Sequence, residues 1–202
     1  MRSATPLFDL PGLTAGLPPP PPRELLSALN AAARCFARYG VTRTSMTDIG
    51  RELGVSRSTI YRQLGSVERT VRLLVAHEVN DLVQHRLPKE LANATGPDVI
   101  VRLLAEIVDY ARSHPVVRKA LHDEPEVIGP YLVTDLPKVT AQVAELVSPL
   151  LRAAMDLGLV RHQNAEALAG WLVRVAIVLV LDPLEGSLRP LLDQVVLPVL
   201  NP

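Results

Sequence analysis

Apolar residues recur every three or four positions along most of this chain, which is the spacing of one face of an α-helix. The first such pattern follows Pro22 and ends at Gly40, a residue type that commonly closes helices. No stretch alternates apolar and polar residues in the manner of a half-buried strand. The pattern therefore predicts an all-α chain. Its predicted helices, with their capping residues, cover 23–39, 45–53, 56–63, 66–87, 98–113, 139–157, 165–181 and 188–200, and a proline-containing loop covers 123–137.

Local signals define two short helices within the segment 44–67. Ser45 is the expected N-cap of the first, and Asp48 three residues later makes an acidic variant of the capping box. Gly54 makes the turn, and Ser56 caps the second helix. Two short helices joined in this way are typical of a DNA-reading helix-turn-helix, in which short side chains at the start of the second helix approach base edges closely.

Polar side chains of this segment suit contact with DNA. Arg57 can donate two hydrogen bonds to a guanine edge, and Thr59 can offer a hydroxyl or a methyl contact to thymine. Ser45 and Ser66 stand at helix starts, whose free backbone N–H groups can bind phosphate. Serines at such positions are usually only caps, so each residue alone is a weak signal and the ordered set is a stronger one.

A longer set of residues shares this ordered spacing, namely Phe36, Tyr39-Gly40, Thr44-Ser45-Met46, Ile49, Leu53-Gly54-Val55-Ser56, Ser58-Thr59-Ile60-Tyr61 and Gly65-Ser66. Through these residues, the stretch 23–75 resembles the DNA-binding signature of the TetR family of bacterial transcriptional regulators. The resemblance implies base-reading positions, which are Thr47, Arg57, Ser58 and Thr59. It also implies phosphate-holding positions, which are Ser45, Tyr61, Gln63 and Ser66.

Several positions depart from the family's pattern. Gly50 stands where the family usually has alanine, which should weaken the second helix slightly. Gln63 stands where histidine or another aromatic-like residue is common. Val67 occupies the place of a lysine that commonly opens the fourth helix. One phosphate contact is therefore missing unless Arg69 or Arg72 replaces it.

The resemblance further implies two domains, a helix-turn-helix DNA-binding domain over 23–68 and a helical effector-binding and dimerisation domain over 69–202. It implies repression at a double-stranded operator that a small-molecule effector relieves, although the sequence does not separate a repressor from an activator. The expected pocket is mainly apolar and favours an apolar effector, but the same residues would suit the core of any helical protein. The candidate lining residues are Leu82, Leu103, Ile107, Tyr110, His114, Tyr131, Leu146, Leu150 and Trp171.

The helix predicted over 165–181 is apolar on nearly all sides, so it must be covered on all sides. In a chain of 202 residues, one side can face the core while the other needs a second copy of the chain. This favours a two-fold symmetric four-helix interface, formed with the helix over 188–200 in a homodimer. The alternative is a helix buried wholly within one chain.

The charges are unevenly distributed, although the formal net charge is zero. Residues 23–72 contain nine Lys or Arg against four Asp or Glu, whereas residues 73–202 contain eleven against sixteen. A basic N-terminal part and an acidic C-terminal part suit a protein that presents one end to DNA phosphates. Random variation among surface charges is the alternative.

Other features indicate a cytoplasmic protein with no membrane span. The single cysteine, Cys35, excludes an intrachain disulfide and suits a buried thiol in a reducing compartment. Residues 1–22 contain seven prolines and are expected to form a mobile tail, without the pattern of a signal peptide. The apolar stretch 165–181 reaches only the short limit for a membrane span and contains Arg174. No His or Cys cluster has metal-ligand spacing, so neither a metal nor another cofactor is expected.

Two other classes of function remain to be weighed. An enzyme would need a glycine-rich phosphate loop, a nucleophile elbow or a paired acid–base constellation, and none is found in the sequence. A helical binding protein whose helix-turn-helix has lost DNA affinity is the second alternative. Val67 and the neutral net charge favour it slightly, and salt-dependent binding to a specific DNA would exclude it.

Overall fold

The computed structural model describes residues 19–86, 96–126, 136–182 and 184–201, and throughout these residues the regular secondary structure is helical. This confirms the all-α prediction. The predicted mobile tail falls, apart from residues 19–22, outside the described residues, as does Tyr131. The described residues form two compact units. The N-terminal unit comprises 19–81 and 112–126, and the C-terminal unit comprises the remainder.

The N-terminal unit is built around the first helix. A 3-10 turn, Arg23–Leu25, leads into this helix, and the unit also contains a short helix from much later in the chain. Its helices are α1 (Leu26–Tyr39), α2 (Met46–Leu53), α3 (Arg57–Leu64), α4 (Val67–Asp81) and α6 (Pro115–Asp123). The core side chains include Leu29, Phe36, Ile49, Ile60 and Leu64, all fully buried. The unit thus contains more of the chain than the predicted domain over 23–68.

The apolar spacing of α1 explains why it occupies the centre. Its buried positions recur at the helical period, so one face packs on α2, α4 and α6. Cys35 lies on this face, and burial raises the pKa of its thiol. The helix ends at Gly40, whose N–H donates to the Phe36 carbonyl over 2.9 Å.

The C-terminal unit begins where α4 changes its hydrogen-bonding pattern to a π-helical turn, Leu82–Arg86. It contains most of α5 (Asp98–Ser113), and α7 (Leu136–Asp156), α8 (Ala165–Leu181), α9 (Leu188–Val195) and α10 (Leu197–Leu200). The packing of α7 against α8 is the most extensive between any two helices of the described residues. The core side chains of the C-terminal unit include Val101, Val108, Ala169, Leu192 and Leu200.

Several predicted helix boundaries need correction. The bounds of α5 and α8 are as predicted, but α6 was missed, and α7 begins three residues earlier than the predicted 139. The predicted loop over 123–137 is helical at its first residue, at 125–126 and at its last two residues, with 127–135 outside the described residues. The predicted helix over 188–200 is divided at Val196 into α9 and α10.

One face of α8 is buried in the C-terminal unit and the opposite face is exposed. Leu168 and Leu172 lie in the core, whereas Trp171 is 41% exposed and Val178 is 58% exposed. The alternative of a helix covered wholly within one chain is therefore wrong for these residues. Within the described part of the chain, no helix combines the length and apolar character that crossing a bilayer requires.

Candidate nucleic-acid interface

The start of α2 carries the predicted capping box. The Asp48 N–H donates to the Ser45 hydroxyl oxygen over 3.2 Å. In return, the Asp48 carboxylate accepts from the Ser45 N–H over 3.0 Å and from its hydroxyl over 2.5 Å. These two hydrogen bonds lower the pKa of the Asp48 carboxyl. The cap fixes the start of α2, with Ser45 exposed and Thr47 partly buried in its first turn.

The turn between α2 and α3 depends on two glycines. Gly54 closes α2 in the left-handed conformation, with φ 79° and ψ 27°. A Cβ atom at Gly50 would lie 3.3 Å from Ile60 Cγ2 and 3.3 Å from the Val55 carbonyl oxygen. Glycine at position 50 therefore gives room for α3 to approach α2 closely, at the cost of helix propensity.

A cluster of hydroxyls forms the start of α3. The Ser56 oxygen accepts from the Thr59 N–H over 3.2 Å, so Ser56 is the predicted N-cap. The hydroxyl oxygens of Ser58 and Thr59 each lie 2.9 Å from that of Ser56. Hydroxyl protons rotate freely, so these two side chains can exchange their bonds to Ser56 for bonds to a base edge.

An exposed arginine at the start of α3 stacks on a tyrosine ring of the same helix. The Arg57 guanidinium lies 5.3 Å from the centre of the Tyr61 ring, one helical turn later, and both residues are exposed. Gln63 lies differently, because its Oε1 is buried and has no hydrogen-bond partner among the described residues. The predicted phosphate contact of Gln63 would therefore use its Nε2, which is the donor of the amide.

The start of α4 presents a carboxylate, Glu68, one residue after Val67. Ser66 caps this helix, accepting from the Arg69 N–H over 3.2 Å. A hydrogen bond with Ser66 also lowers the pKa of the exposed Glu68 carboxyl. Val67 packs partly against the core of the N-terminal unit. The Arg69 side chain lies back over Gly65, where an added Cβ would be 3.2 Å from its Nη1, so it places a positive charge near the turn.

Glu124, which the sequence interpretation missed, holds the loop in front of α2. Its carboxylate accepts from the Val41 N–H over 2.7 Å, from the Thr42 N–H over 2.9 Å and from the Thr42 hydroxyl. The side chain is buried, with the whole residue 1% exposed. Burial raises the pKa of the Glu124 carboxyl, but the hydrogen bonds from Thr42 and Val41 lower it, and the net pKa is below its usual value. The carboxylate form is thus the one that the site stabilises.

Basic side chains beside α2 were also missed. A shallow surface groove is lined by Arg38, Tyr39, Arg43, Asp48 and Lys119. Arg43 is exposed and lies two residues before the N-cap of α2, which was the available signal in the sequence. Lys119 is less accessible to a ligand, because it pairs with the Asp123 carboxylate.

The predicted effector-pocket residues divide between the two units. His114 belongs to the N-terminal unit, where its Nε2 lies 3.6 Å from the Glu78 carboxylate. Trp171 is exposed on α8. The Arg86 guanidinium lies 4.1 Å from the centre of the Tyr110 ring. The remaining members are partly buried residues of the C-terminal unit that lie outside its main core cluster, namely Leu82, Leu103, Ile107, Leu146 and Leu150.

Metal ligation has no support in the described part of the chain, where no group of three or more His, Cys, Asp or Glu side chains is arranged to hold an ion.

A family model and a curated relative both match this chain and both describe transcriptional regulators. Residues 28–66 match the model for bacterial regulatory proteins of the tetR family. An uncharacterised HTH-type transcriptional regulator of Mycobacterium tuberculosis is 26% identical over 149 residues, which cover 73% of this chain and 75% of that protein.

Solved structures share the fold at low sequence identity. A TetR-family transcriptional regulator from Pectobacterium atrosepticum is similar with a TM-score of 0.66 and 18% identity, over 86% of this chain and 92% of that one. The fatty acid degradation regulator FadR from Bacillus halodurans is similar with a TM-score of 0.60 and 17% identity, over 89% of this chain and 96% of that one.

Proposed function

Since this chain belongs to the TetR family of bacterial transcriptional regulators, we propose that it binds a palindromic operator as a homodimer and that a small apolar effector releases it. The observation that carries DNA binding is the capped pair α2 and α3, with an exposed polar start of α3, inside the matched residues 28–66. A protein acting on such an operator works in the cytoplasm.

In this proposal α3 lies in the major groove and its first turn reads the bases. Arg57 extends from the helix start and can contact a guanine edge, while Ser58 and Thr59 exchange their bonds to Ser56 for bonds to bases. Thr47 approaches the same groove from the first turn of α2. Phosphates then meet the helix starts and the outer end of α3, through Ser45, Tyr61, Gln63 and Ser66.

The homodimer is proposed from the exposed apolar side chains of the C-terminal unit. Trp171 and Val178 on α8 are exposed, as are Leu191, Val195 and Val199 on the segment formed by α9 and α10. A second copy would cover these side chains through a four-helix interface. Two copies related by two-fold symmetry would read half-sites about 34–36 Å apart, which is why the operator is expected to be a palindrome.

An apolar effector is proposed from the partly buried leucines and isoleucine outside the core cluster. Leu103 and Ile107 on α5 and Leu146 and Leu150 on α7 are not used to fill that cluster. Apolar side chains of this kind, with a few polar groups such as Tyr110, are typical of small-molecule sites. An effector that binds more tightly to a conformation in which the two recognition helices are wrongly spaced lowers the affinity for DNA, and the coupling is reciprocal.

Binding-site selection from fragmented host genomic DNA, performed at two salt concentrations, tests DNA binding. The expected result is enrichment of a palindrome, with an affinity that falls steeply as salt rises because phosphate contacts release counterions. The Arg57→Ala variant, selected in parallel, should lose its base preference at one position of each half-site. No enrichment by the wild-type chain would favour a binding protein without DNA affinity.

The second half of the proposal requires that a ligand change operator affinity. Fatty acids of several chain lengths and other apolar small molecules would be titrated against the complex with the selected palindrome. Release by one of them is the expected result. An operator affinity that none alters would count against effector control, and gene expression in a deletion strain then separates repression from activation.

A further inference from the structure

We propose that Glu124 is a positioning residue for DNA binding, which holds the loop 40–44 so that α2 begins where its first turn can meet a phosphate. This inference rests on the proposed DNA-binding function. Glu124 lies 58 residues beyond the matched segment 28–66 and immediately after α6. It is thus part of the N-terminal unit without being part of its continuous helix-turn-helix sequence.

The local sequence gives Glu124 no favourable partner. It is the C-cap residue of α6, with its N–H donating to the Ala120 carbonyl over 3.2 Å. A carboxylate at a helix C-terminus is unfavourable, because the helix dipole places negative charge there. The neighbouring Asp123 carboxylate is compensated by Lys119 of the same helix, whereas the Glu124 side chain is buried away from water. Its three donors all belong to the loop after α1.

The backbone of the loop 40–44 passes close to this carboxylate. Gly40 has φ 90° and ψ 165°, a region that essentially only glycine adopts. A Cβ atom there would lie 2.5 Å from Glu124 Oε1. The close approach leaves the N–H groups of Val41 and Thr42 pointing at the carboxylate.

Hydrogen bonds continue from this loop to the start of α2. The Thr44 hydroxyl, which is buried, donates to the Gly40 carbonyl over 2.6 Å. The next residue is Ser45, which forms the capping box with Asp48. The position of the α2 N-terminus therefore depends on a loop whose Val41 and Thr42 N–H groups donate to the buried Glu124 carboxylate. Without the carboxylate, those amides would need other partners and the loop would shift.

The test compares two glutamates of the same segment. Glu124→Gln keeps the size of the side chain but replaces one acceptor oxygen with an NH₂ donor, which faces the loop N–H groups. Glu126→Gln makes the same chemical change at an exposed site two residues later. Both remove one negative charge, which alone would strengthen binding to DNA. Affinity for the palindrome selected by the wild-type chain is measured at several salt concentrations, at a temperature where all variants are folded.

We expect Glu124→Gln to weaken operator binding about tenfold and Glu126→Gln to leave it unchanged or slightly tighter. Loss of one phosphate contact per protomer would also make the salt dependence shallower, by about 0.9 in the logarithmic slope for each contact. A merely structural role would lower stability without changing this slope. Operator affinity and salt slope of Glu124→Gln equal to those of Glu126→Gln would overturn the proposal.

A second pair of variants covers the case in which Glu124→Gln does not fold. Thr42→Val removes the hydroxyl donor to the carboxylate and should weaken operator binding, whereas Thr42→Ser keeps the donor and should retain it. Equal affinities of these two variants would count against the proposal.

Hydrogen exchange tests the positioning without DNA. Glu124→Gln should speed exchange of the Val41 and Thr42 amides, and also of the Asp48 amide that Ser45 caps. Unchanged exchange at Asp48 would show that the start of α2 does not depend on Glu124. A wild-type chain that selects no DNA would instead refute the proposed function and leave the exchange experiment to decide the role of Glu124.

Discussion

Replacing Gly40 by alanine should destabilise the N-terminal unit far more than the same replacement at Gly54. Both glycines have positive φ, 90° at Gly40 and 79° at Gly54. A Cβ atom at Gly54 would meet nothing within 4 Å, whereas at Gly40 it would lie 2.5 Å from Oε1, 2.6 Å from Cδ and 2.8 Å from Oε2 of Glu124. The two variants thus share a backbone penalty, and only Gly40→Ala adds a collision with a buried carboxylate.

The expected difference follows from these contacts. An alanine with positive φ costs about 1–2 kcal/mol in the left-handed region, and about 1–3 kcal/mol in the region that Gly40 occupies. Displacing the carboxylate would also break its hydrogen bonds with the part-buried Val41 and Thr42 N–H groups, at about 1–3 kcal/mol in all. Gly54→Ala should therefore lower the free energy of unfolding by about 1–2 kcal/mol, and Gly40→Ala by about 2–6 kcal/mol.

Urea unfolding at one fixed protein concentration measures both losses. Shortening the opposing side chain provides the internal check, because Gly40→Ala should cost less in a Glu124→Ala background than in the wild-type chain. A double-mutant cycle reports this coupling. Equal losses at the two glycines, together with additive effects of Gly40→Ala and Glu124→Ala, would refute the idea that the carboxylate is fixed against the loop.

Three further predictions concern the DNA-binding surface and its cap. Arg57→Ala should cost about 1–3 kcal/mol of binding free energy at one base position and relax specificity there. Tyr61→Phe should weaken binding to all DNA sequences similarly. Competition binding with single-base operator variants distinguishes the two roles. Glu68→Gln removes a carboxylate beside Ser66 and should strengthen binding to every DNA sequence by a similar small factor, and weaker binding would show that Glu68 is needed for the cap. The Asp48 pKa is lowered by its hydrogen bonds with Ser45, so this carboxylate stabilises the fold above its ordinary pKa of about 4 and ceases to do so as pH falls through the lowered value. The stability difference between wild type and Asp48→Asn should accordingly shrink in acid denaturation below about pH 4, and a constant difference would contradict the assignment.

Much of the fold could be predicted because its signals are local. The capping box of Ser45 and Asp48 lies within four residues, and the left-handed Gly54 follows directly from its place between two short helices. Signals of this kind need no knowledge of the distant chain, which is why these helix starts and ends agree with the structure.

Helix α6 and the division between α9 and α10 were missed because their sequence signals are ambiguous. Pro115 lies two residues beyond α5, where a proline commonly follows a helix end, but it also occupies the first turn of α6, where a missing N–H costs nothing. His114, the N-cap of α6, makes no capping bond with its side chain. At the other end of the chain, the apolar spacing continues through Val196, so it hides the division between α9 and α10.

The candidate site shows the same limit more sharply. The polar residues of α3 could be identified because they lie within one short motif, and their use as DNA contacts stays a prediction. Glu124 could not be identified, because its partners Val41 and Thr42 are more than 80 residues earlier. Gly50 appeared as a weakened helix position until Ile60 was seen packed against it. Both require the three-dimensional arrangement of the unit.

The N-terminal unit is assembled from two stretches of chain, and this has a consequence for its biosynthesis. The Thr42 amide and the Glu124 carboxylate are 82 residues apart. Ribosomes add about 5–20 residues per second, so about 4–16 s separate the synthesis of the loop from that of its acceptor. From residue 81 onward the nascent chain contains α1 to α4, but it lacks α6 until residues 115–123 have been added. We therefore expect a newly made chain to complete its N-terminal unit only after residues 112–126 have left the ribosome, well after its helix-turn-helix segment has emerged.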